Sequence, residues 1–274
     1  MAGRKYFTRR FTPYTYDAAS LAYFAAFTTP ISGISKDVFD RFIVGLKTDR
    51  SPSGATSQYQ EMVLGRSYMN ENRQGARLNI FNPSFAECAE VSTPTWTPQY
   101  GYTFNGSSSY LDQNWNESTH GGSLWTANSC GFTLVILNEF VQVNPQLLMG
   151  ATDAGFNGCS FQVKNGTNQA YAWCNTPYPS AITNPTTIGV FTILKTASGK
   201  IDLYRDGVLI GSLTGQGDTA LAARNHFTGC VNKNAVATGF TPASIAMELK
   251  HSGNVDAGKL FDRIDTFISD FRSL

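Results

Sequence analysis

Residues 201–210 read Ile-Asp-Leu-Tyr-Arg-Asp-Gly-Val-Leu-Ile, and this stretch decides the fold. Asp206 and Gly207 lie between two strand-like runs, and both residues tolerate the positive φ angles of a type I′ turn. The stretch therefore predicts a β-hairpin with strands at 201–205 and 208–213.

The pattern around this hairpin extends from residue 100 to residue 250. Short apolar runs are separated by Gly, Asn, Pro or Ser about every 8–12 residues, which is typical of an all-β sandwich or barrel. The other predicted strands are 100–104, 109–112, 132–138, 147–151, 160–164, 170–174 and 187–194. The run at 132–137 is apolar except for Thr133, which indicates a central strand covered on both faces.

Residues 243–249 fit two structures. Their apolar side chains alternate like those of a strand, but Thr241-Pro242 also fits the start of a helix. We favour the strand. Before residue 95 the best strand candidate is residues 77–81, which read Arg-Leu-Asn-Ile-Phe.

The two flanks of this region carry helical patterns. Asp17 is predicted to cap a short helix at 18–28, and Ser35 to cap an amphipathic helix at 36–47. A further amphipathic helix is predicted at 260–271. We therefore expect four parts: an arm at 1–16, a helical lead with short strands at 17–95, a sandwich at 96–250, and at 251–274 a helix packed on the sandwich.

Composition limits the function classes. The chain has 274 residues, of which 42% are hydrophobic and only 15% charged, so it can bury a large core beneath a weakly charged surface. We find no signal-peptide pattern and no run of about 18 apolar residues, which predicts a soluble chain without membrane insertion.

The formal net charge is +1. The positive excess lies in residues 1–50, which contain eight Lys and Arg residues but only four Asp. The basic and aromatic residues at the start of the chain are Arg4, Lys5, Tyr6, Phe7, Arg9, Arg10 and Phe11. They are predicted to dock a partner protein, with a frayed, solvated terminus as the alternative. Four cations are too few to predict nucleic-acid binding.

A recognisable pattern appears at 101–112, which read Gly-Tyr-Thr-Phe-Asn-Gly-Ser-Ser-Ser-Tyr-Leu-Asp. This stretch resembles the first strand of concanavalin A-like, laminin-G-like jelly rolls, and the Asp206-Gly207 hairpin matches the same family. Together the two cover residues 98–250. The resemblance implies a mainly β protein, a concanavalin A-like antiparallel β-sandwich, here with amphipathic helices at both ends.

The flanks resemble those of laminin-G-like proteins in tailed-bacteriophage particles, where such proteins serve as head decoration, fibre or tail components. The features that carry this resemblance are residues 77–82, the approach at 95–98 and the closing helix. It implies a non-enzymatic virion protein that is assembled in the host cytoplasm. Its partners would be other virion proteins, further copies of itself and a host-surface glycan.

Catalytic patterns are missing from the β region. Glycoside hydrolases need two carboxyl groups that face each other across the sugar bond, and on a strand these often appear as alternating acids. Every acid between residues 100 and 250 is isolated in sequence. We therefore expect no enzyme and name no catalytic residue. A lectin-like module is the alternative function, and a glycan-cleaving enzyme is the less favoured one.

Metal and cofactor patterns are equally sparse. The five cysteines are widely spaced without a CxxC pair, so the sequence predicts neither a zinc site nor a disulfide framework, but buried thiols. We expect no cofactor except calcium, which laminin-G-like domains often bind at a loop edge. Asp153, in the segment 151–155, is its one candidate ligand.

Sugar binding needs an exposed aromatic face beside amide or carboxylate groups. Trp115 is predicted to lie in a loop next to Asn114, and Trp173 with Tyr178 gives a second cluster. The alternatives are core packing and loop anchoring, and the alternation of Tyr171 and Trp173 favours a core position for Trp173.

Overall fold

The computed structural model contains two β-sheets that pack face to face. Helices cover the outer side of one sheet. The structure describes residues 14–140, 146–154, 157–177 and 179–274. Its helices are α1 (Ala18–Ala25), α2 (Gly33–Thr48), α3 (Glu117–His120) and α4 (Ala257–Arg272). The strands as far as residue 136 are β1 (Met62–Ser67), β2 (Ala89–Val91), β3 (Thr95–Thr97), β4 (Gly101–Thr103), β5 (Tyr110–Asn116) and β6 (Cys130–Ile136). The strands after it are β7 (Met149–Thr152), β8 (Gly158–Gln162), β9 (Gln169–Thr176), β10 (Ile182–Thr183), β11 (Gly189–Ala197), β12 (Lys200–Arg205), β13 (Val208–Leu213), β14 (Asn225–Thr228), β15 (Val231–Lys233), β16 (Val236–Thr238) and β17 (Ser244–His251).

Each sheet mixes strands from distant parts of the chain. Sheet one has the order β13-β12-β11-β6-β17-β4-β3, and β1 also pairs with β17. Sheet two has the order β10-β9-β8-β7-β14-β5-β2, and β15 joins it by pairing in parallel with β7. The other described pairs are antiparallel, so the predicted mainly β, antiparallel sandwich with terminal helices is confirmed.

The predicted hairpin is β12–β13. Arg205 pairs with Val208, and the two residues between them, Asp206 and Gly207, have φ angles of 50° and 75°. These are the left-handed angles of a type I′ turn. The prediction is therefore confirmed, and so is the strand rather than the helix at 243–249, since β17 covers it.

The core has two layers that share strand β6. Phe132 and Leu134 face the interior between the sheets, where Phe132 lies 6.3 Å from Phe161 between ring centroids. Val135 points the opposite way and packs under the helices. Side chains alternate along a strand, so a strand buried on both faces must be almost entirely apolar, and its one buried hydroxyl, that of Thr133, bonds Thr192 and His251. This confirms the interpretation of residues 132–137.

The helical layer covers the outer face of sheet one. Phe39 and Phe42 of α2 lie 5.1 and 5.2 Å from Phe267 of α4, and Arg263 of α4 forms an ion pair with Asp49 at 2.7 Å. The aromatic contacts bury the apolar stripes that the sequence shows on both helices. Among the described residues, no helix has both the length and the apolar composition that crossing a bilayer would require.

The two predicted helix starts have different outcomes. Asp17 caps α1 by accepting a hydrogen bond from the Ala19 N–H at 2.8 Å, as predicted. Ser35 does not cap the second helix. α2 begins one turn earlier, where Ser32 Oγ accepts from the Ser35 N–H at 3.1 Å, and the Ser35 hydroxyl donates instead to Glu71.

The predicted strand at 77–81 is wrong. Residues 75–77 form a short 3₁₀ turn. The following residues make one side-chain and one backbone bond to β1: the Gly65 N–H donates to Asn79 Oδ1 at 3.1 Å, and the Ile80 N–H donates to the Gly65 carbonyl oxygen at 2.8 Å. The strand in this region is β1, which pairs with β17, while β2 and β3 pair with β5 and β4. The division into parts at residue 95 stays a prediction, and strands from its two sides pair in both sheets.

A buried ionic network lies between the sheets. Its members are Arg66, Tyr68, Gln113, Thr228, Glu248 and Lys250. Glu248 accepts hydrogen bonds from Lys250, from Thr228 and, at 2.9 Å, from the Tyr68 hydroxyl. Gln113 donates to Tyr68 at 2.8 Å and accepts from Arg66 at 2.5 Å. The charges are fully buried, so each depends on these partners.

His251, at the end of β17, makes stability depend on pH. The ring is fully buried against Thr133 and the Ser252 carbonyl oxygen, and burial lowers its pKa to about 4. Lys250 lowers this pKa further, and Glu61 opposes the shift. Below the ordinary His pKa of about 6.5, His251 therefore binds a proton in the unfolded chain but not in the folded chain. Stability falls as the pH falls.

We expect this group to remove about 2 kcal/mol of stability between pH 7.5 and pH 5, a range above the ordinary carboxyl pKa values. Urea unfolding at several pH values measures the loss, which should shrink in His251→Gln. His120→Gln is the control, because the His120 ring is only half-buried. An equal pH slope in wild type and His251→Gln would contradict the prediction.

Candidate functional site

A cleft of about 590 Å³ with a mixed polar and apolar lining opens at one end of sheet two. We call it the Thr152 cleft. Its described lining residues are Thr152, Asp153, Asn157, Thr219, Ala220, Leu221, Ala222, Ala223, Arg224 and Asn234. Its volume lies in the range of small-ligand sites, roughly 300–1,000 Å³.

One wall of the Thr152 cleft follows from strand pairing. Strand β7 ends at Thr152, and β15 runs parallel beside it with Lys233 opposite Thr152. The Asn234 N–H then donates to the Thr152 carbonyl oxygen at 2.9 Å. Next to it, Asp153 accepts from the Asn157 N–H at 2.9 Å and from its Nδ2 at 2.8 Å. The amide and carboxylate groups of this wall are therefore held in place by local bonds.

The opposite wall is the loop at 214–224, which connects β13 to β14. The Thr219 N–H donates to the Asn175 carbonyl oxygen at 2.9 Å, which holds the loop against β9. Asp218 forms an ion pair at 2.6 Å with Lys195, which is fully buried. The hydrogen bond from Lys195 lowers the pKa of Asp218 to about 2. Two adjacent residues of the loop, Asp218 and Thr219, are thus anchored to the sheets.

The buried pair of Glu117 and His226 contacts the loop at 214–224. The Ala222 N–H donates to Glu117 Oε2 at 3.1 Å, and Glu117 Oε1 lies 2.7 Å from His226 Nε2. Burial, and then the charge of Lys250, hold the pKa of His226 below its usual value. A neutral ring with its proton on Nε2 donates to Glu117, which leaves His226 Nδ1 without a partner among the described residues.

The Thr152 cleft offers hydrogen-bonding groups. The hydroxyls of Thr152 and Thr219 are buried and have no hydrogen-bond partner among the described residues. Arg224 and Asn234 lie exposed at its rim. Buried hydroxyls without a partner are unfavourable, and both of these belong to residues that line the cleft.

Most of the site residues predicted from the sequence lie elsewhere. Trp115 is not in a loop: it lies in β5 with no exposed surface, and its ring packs 5.0 Å from Trp125 and 4.9 Å from His226. The prediction of a loop position is wrong, because β5 continues to Asn116. In this position Trp115 offers no face to a sugar, but it packs against the His226 ring that supports the cleft.

Trp173 is 2% exposed and packs with Leu147 and Val231, the core alternative that its alternation favours. Asn114 is exposed, and its Nδ2 donates to the Glu87 carbonyl oxygen at 2.7 Å. Neither residue lines the Thr152 cleft. Tyr178 and the docking residues of the arm, Arg4 to Phe11, lie outside the described residues.

Among the predicted site residues that the structure describes, Asp153 is the one that lines the Thr152 cleft. Both of its carboxylate oxygens accept hydrogen bonds from Asn157. Calcium at this residue stays a prediction. Sequence reasoning missed Thr152, Thr219 and Arg224, because they come from segments about 70 residues apart and no local pattern marks them.

No protein-family model matches the chain, and no curated protein matches it in sequence. Its fold does resemble solved structures. Trypanosoma rangeli sialidase in complex with 2,3-difluorosialic acid is 14% identical with a TM-score of 0.52. The alignment covers 85% of this chain and 39% of the sialidase, so the chain spans well under half of that enzyme.

Two further similar structures come from other proteins. Botulinum neurotoxin type C, whose cell entry depends on two ganglioside molecules, is 11% identical with a TM-score of 0.53, over 76% of this chain and 52% of the toxin chain. Domain 4 of AbnA, a GH43 extracellular arabinanase from Geobacillus stearothermophilus, was solved with arabinotriose. It is 14% identical with a TM-score of 0.50, over 74% of this chain and 98% of the domain. At these identities the similarity shows a shared jelly-roll-like β-sandwich fold.

Proposed function

We propose that this chain is a non-enzymatic, glycan-binding structural protein of a tailed-phage particle, and that the Thr152 cleft holds the glycan. The observation that carries the glycan part is the pair of buried hydroxyls on Thr152 and Thr219, two residues that line the cleft, which have no hydrogen-bond partner among the described residues. A sugar has hydroxyl groups around its rim that donate and accept hydrogen bonds, so it matches such a lining.

The composition of the Thr152 cleft supports binding without cleavage. Glycoside hydrolysis generally uses two carboxyl groups on opposite sides of the sugar bond, and sialidases use a tyrosine nucleophile. Among the described lining residues Asp153 is the one carboxylate, and none is a tyrosine. The bonds from Asn157 further engage that carboxylate. A single engaged acid can bind a sugar but cannot supply both roles of the reaction.

Arg224 supports an acidic glycan as the ligand. It lies exposed at the rim, 3.5 Å from Asn234 between Nη2 and Oδ1. A guanidinium group presents its donors in a planar fork that matches a carboxylate. Structures with the same fold have been solved with sialic acid and with arabinotriose. They share only the fold with this chain, so the case rests on the cleft.

The test is a glycan array followed by affinity measurements on the best ligand. Arg224→Ala should weaken the binding of an acidic glycan about 10- to 100-fold, as for a lost hydrogen bond to a charged group. Thr219→Val should weaken it about 2- to 10-fold. The control is Arg41→Ala, an exposed arginine of α2 outside the Thr152 cleft. Absent binding, equal binding by all variants, or release of cleaved product would each contradict the proposal.

The virion part of the proposal rests on the resemblance of the flanks to laminin-G-like phage proteins, and it names the arm as the docking element. Deletion of residues 1–11 should leave the unfolding transition unchanged but abolish incorporation into particles. Mass spectrometry of purified particles measures the incorporation. Normal incorporation of the truncated chain would refute the docking role, and an intact glycan affinity would then favour the free lectin-like module.

A further inference from the structure

Three buried cysteines meet where the two sheets face each other. Cys130 belongs to β6 of sheet one, whereas Cys159 and Cys174 are direct cross-strand neighbours on β8 and β9 of sheet two. The Sγ atom of Cys174 lies 3.0 Å from that of Cys130 and 3.7 Å from that of Cys159, and all three Sγ atoms lie within 4.8 Å of one another. None is exposed, and all are free thiols.

The fold brings the three cysteines together, although their spacing in the sequence does not predict a cluster. Cys174 lies 44 residues from Cys130 and 15 from Cys159, which fits none of the short metal-binding motifs. The sequence therefore predicts isolated buried thiols. The other two cysteines, Cys88 and Cys230, are also buried but are not part of the cluster.

An amide group completes the set of donors. Asn175 Oδ1 lies 3.6 Å from Cys159 Sγ, and its Nδ2 donates to Cys130 Sγ at 3.4 Å. A tetrahedral zinc ion with Zn–S bonds of about 2.3 Å and a Zn–O bond of about 2.1 Å requires S···S separations of about 3.8 Å and S···O separations of about 3.6 Å. The contacts of Cys159 already have this spacing, and Cys130 would have to move about 0.8 Å away from Cys174.

A buried lysine holds the backbone next to the cluster. The Lys195 ammonium group is fully buried and donates to the Asn175 carbonyl oxygen at 2.8 Å. Burial raises the pKa of each of the three thiols well above the ordinary value, so a metal ion that binds here has to displace their protons. A divalent cation would replace their protons. Lys195 also forms the ion pair with Asp218, so it contributes a nearby hydrogen-bond donor rather than an unpaired charge.

We propose that Cys130, Cys159, Cys174 and Asn175 form a structural site for a zinc ion that ties the two sheets together. Binding releases three protons, one from each thiol, and leaves a zinc ion with three thiolates and the Asn175 Oδ1 atom as ligands. No described lining residue of the proposed glycan cleft takes part, so this site stands or falls independently of the proposed function. Soft sulfur ligands without an open water position favour zinc in a closed, structural role.

The site lies in the core, so zinc has to enter during folding. The full chain is therefore refolded under reducing conditions with and without Zn²⁺, passed over a chelating resin and analysed for metal content. We expect one zinc per chain. A parallel refolding with Co²⁺ should give the absorption bands of a tetrahedral cobalt thiolate, and Zn²⁺ should abolish them. Bound zinc should raise Tm by roughly 8 °C or more.

The variants separate the cluster from the other thiols. Cys159→Ala should lose the metal and the zinc-dependent rise in Tm, whereas Cys230→Ser, with a buried thiol outside the cluster, should keep both. The metal content of the wild-type chain tests the site even if Cys159→Ala does not fold. Less than roughly a tenth of a zinc per wild-type chain, full metal content in Cys159→Ala, or a Cys130–Cys174 disulfide in chain refolded with zinc would each overturn the proposal.

Discussion

Replacing Lys250 with methionine is expected to destabilise the fold by about 3–5 kcal/mol. The Lys250 ammonium group is fully buried, bonds Glu248 and lies 5.3 Å from the centre of the Trp115 ring. Methionine fills a similar volume but leaves the Glu248 carboxylate buried with only Tyr68 and Thr228 as donors among the described residues. Urea unfolding followed by Trp fluorescence measures the loss as a change in the free energy of unfolding.

A matched variant isolates the effect of burial. Lys259→Met breaks the ion pair with Asp256. Because the Lys259 and Asp256 side chains are 48% and 33% exposed, this change should alter stability by less than about 1 kcal/mol. The double variant Lys250→Met/Glu248→Gln should recover part of the loss, because it removes the unpaired charge. If Lys250→Met were no more destabilising than Lys259→Met, the buried network would not hold the sheets together.

Gly150→Ala is expected to cost about 2–6 kcal/mol, the sum of backbone strain and overpacking. Gly150 lies in β7 with a φ angle of 131°, and an added Cβ would stand 2.0 Å from the Cys159 carbonyl oxygen on the neighbouring strand. That oxygen belongs to the backbone and cannot rotate away. The strand must move, and β7 carries Thr152 at its end, so glycan affinity should fall together with stability.

Gly33→Ala provides the control for this prediction. Gly33 starts α2, its φ angle is not positive, and an added Cβ would meet no atom within 4 Å. We expect a change within about 1 kcal/mol, of either sign. Unfolding curves and glycan affinity are measured for both variants. A Gly150→Ala protein with wild-type stability would show that β7 and β8 are not packed as described.

Local signals account for the parts of the fold that the sequence predicts. The Asp206-Gly207 turn can be predicted from two adjacent residues. The largely apolar run of β6 indicates a strand buried on both faces, and each terminal helix has an apolar stripe within its own sequence. β1 was missed because Arg66, a charged residue, lies fully buried near its end and breaks the apolar alternation. Its partners Gln113 and the Ala86 carbonyl oxygen come from segments that sequence patterns cannot align.

The candidate site was much less predictable. Trp115 lies next to Asn114, as an aromatic residue of a sugar-binding site lies next to amide groups, but whether its ring faces solvent depends on where β5 ends. Thr152 and Thr219 are ordinary in sequence and become notable only because the parallel pairing of β7 with β15 and the anchored loop at 214–224 bring them into one cleft. The same holds for the three cysteines, whose meeting depends on the contact between sheets.

The position of β17 has a consequence for how the chain reaches this structure. Residues 244–251 pair with β1, β4 and β6, so they form the centre of sheet one although every other described strand precedes them in the chain. During synthesis on a ribosome, β1 and β6 must wait with unpaired edges until this segment emerges. Contacts so distant in sequence slow folding, and exposed edges invite association between nascent chains. We therefore expect β17 to set the rate of folding and the period in which the chain is most vulnerable to aggregation.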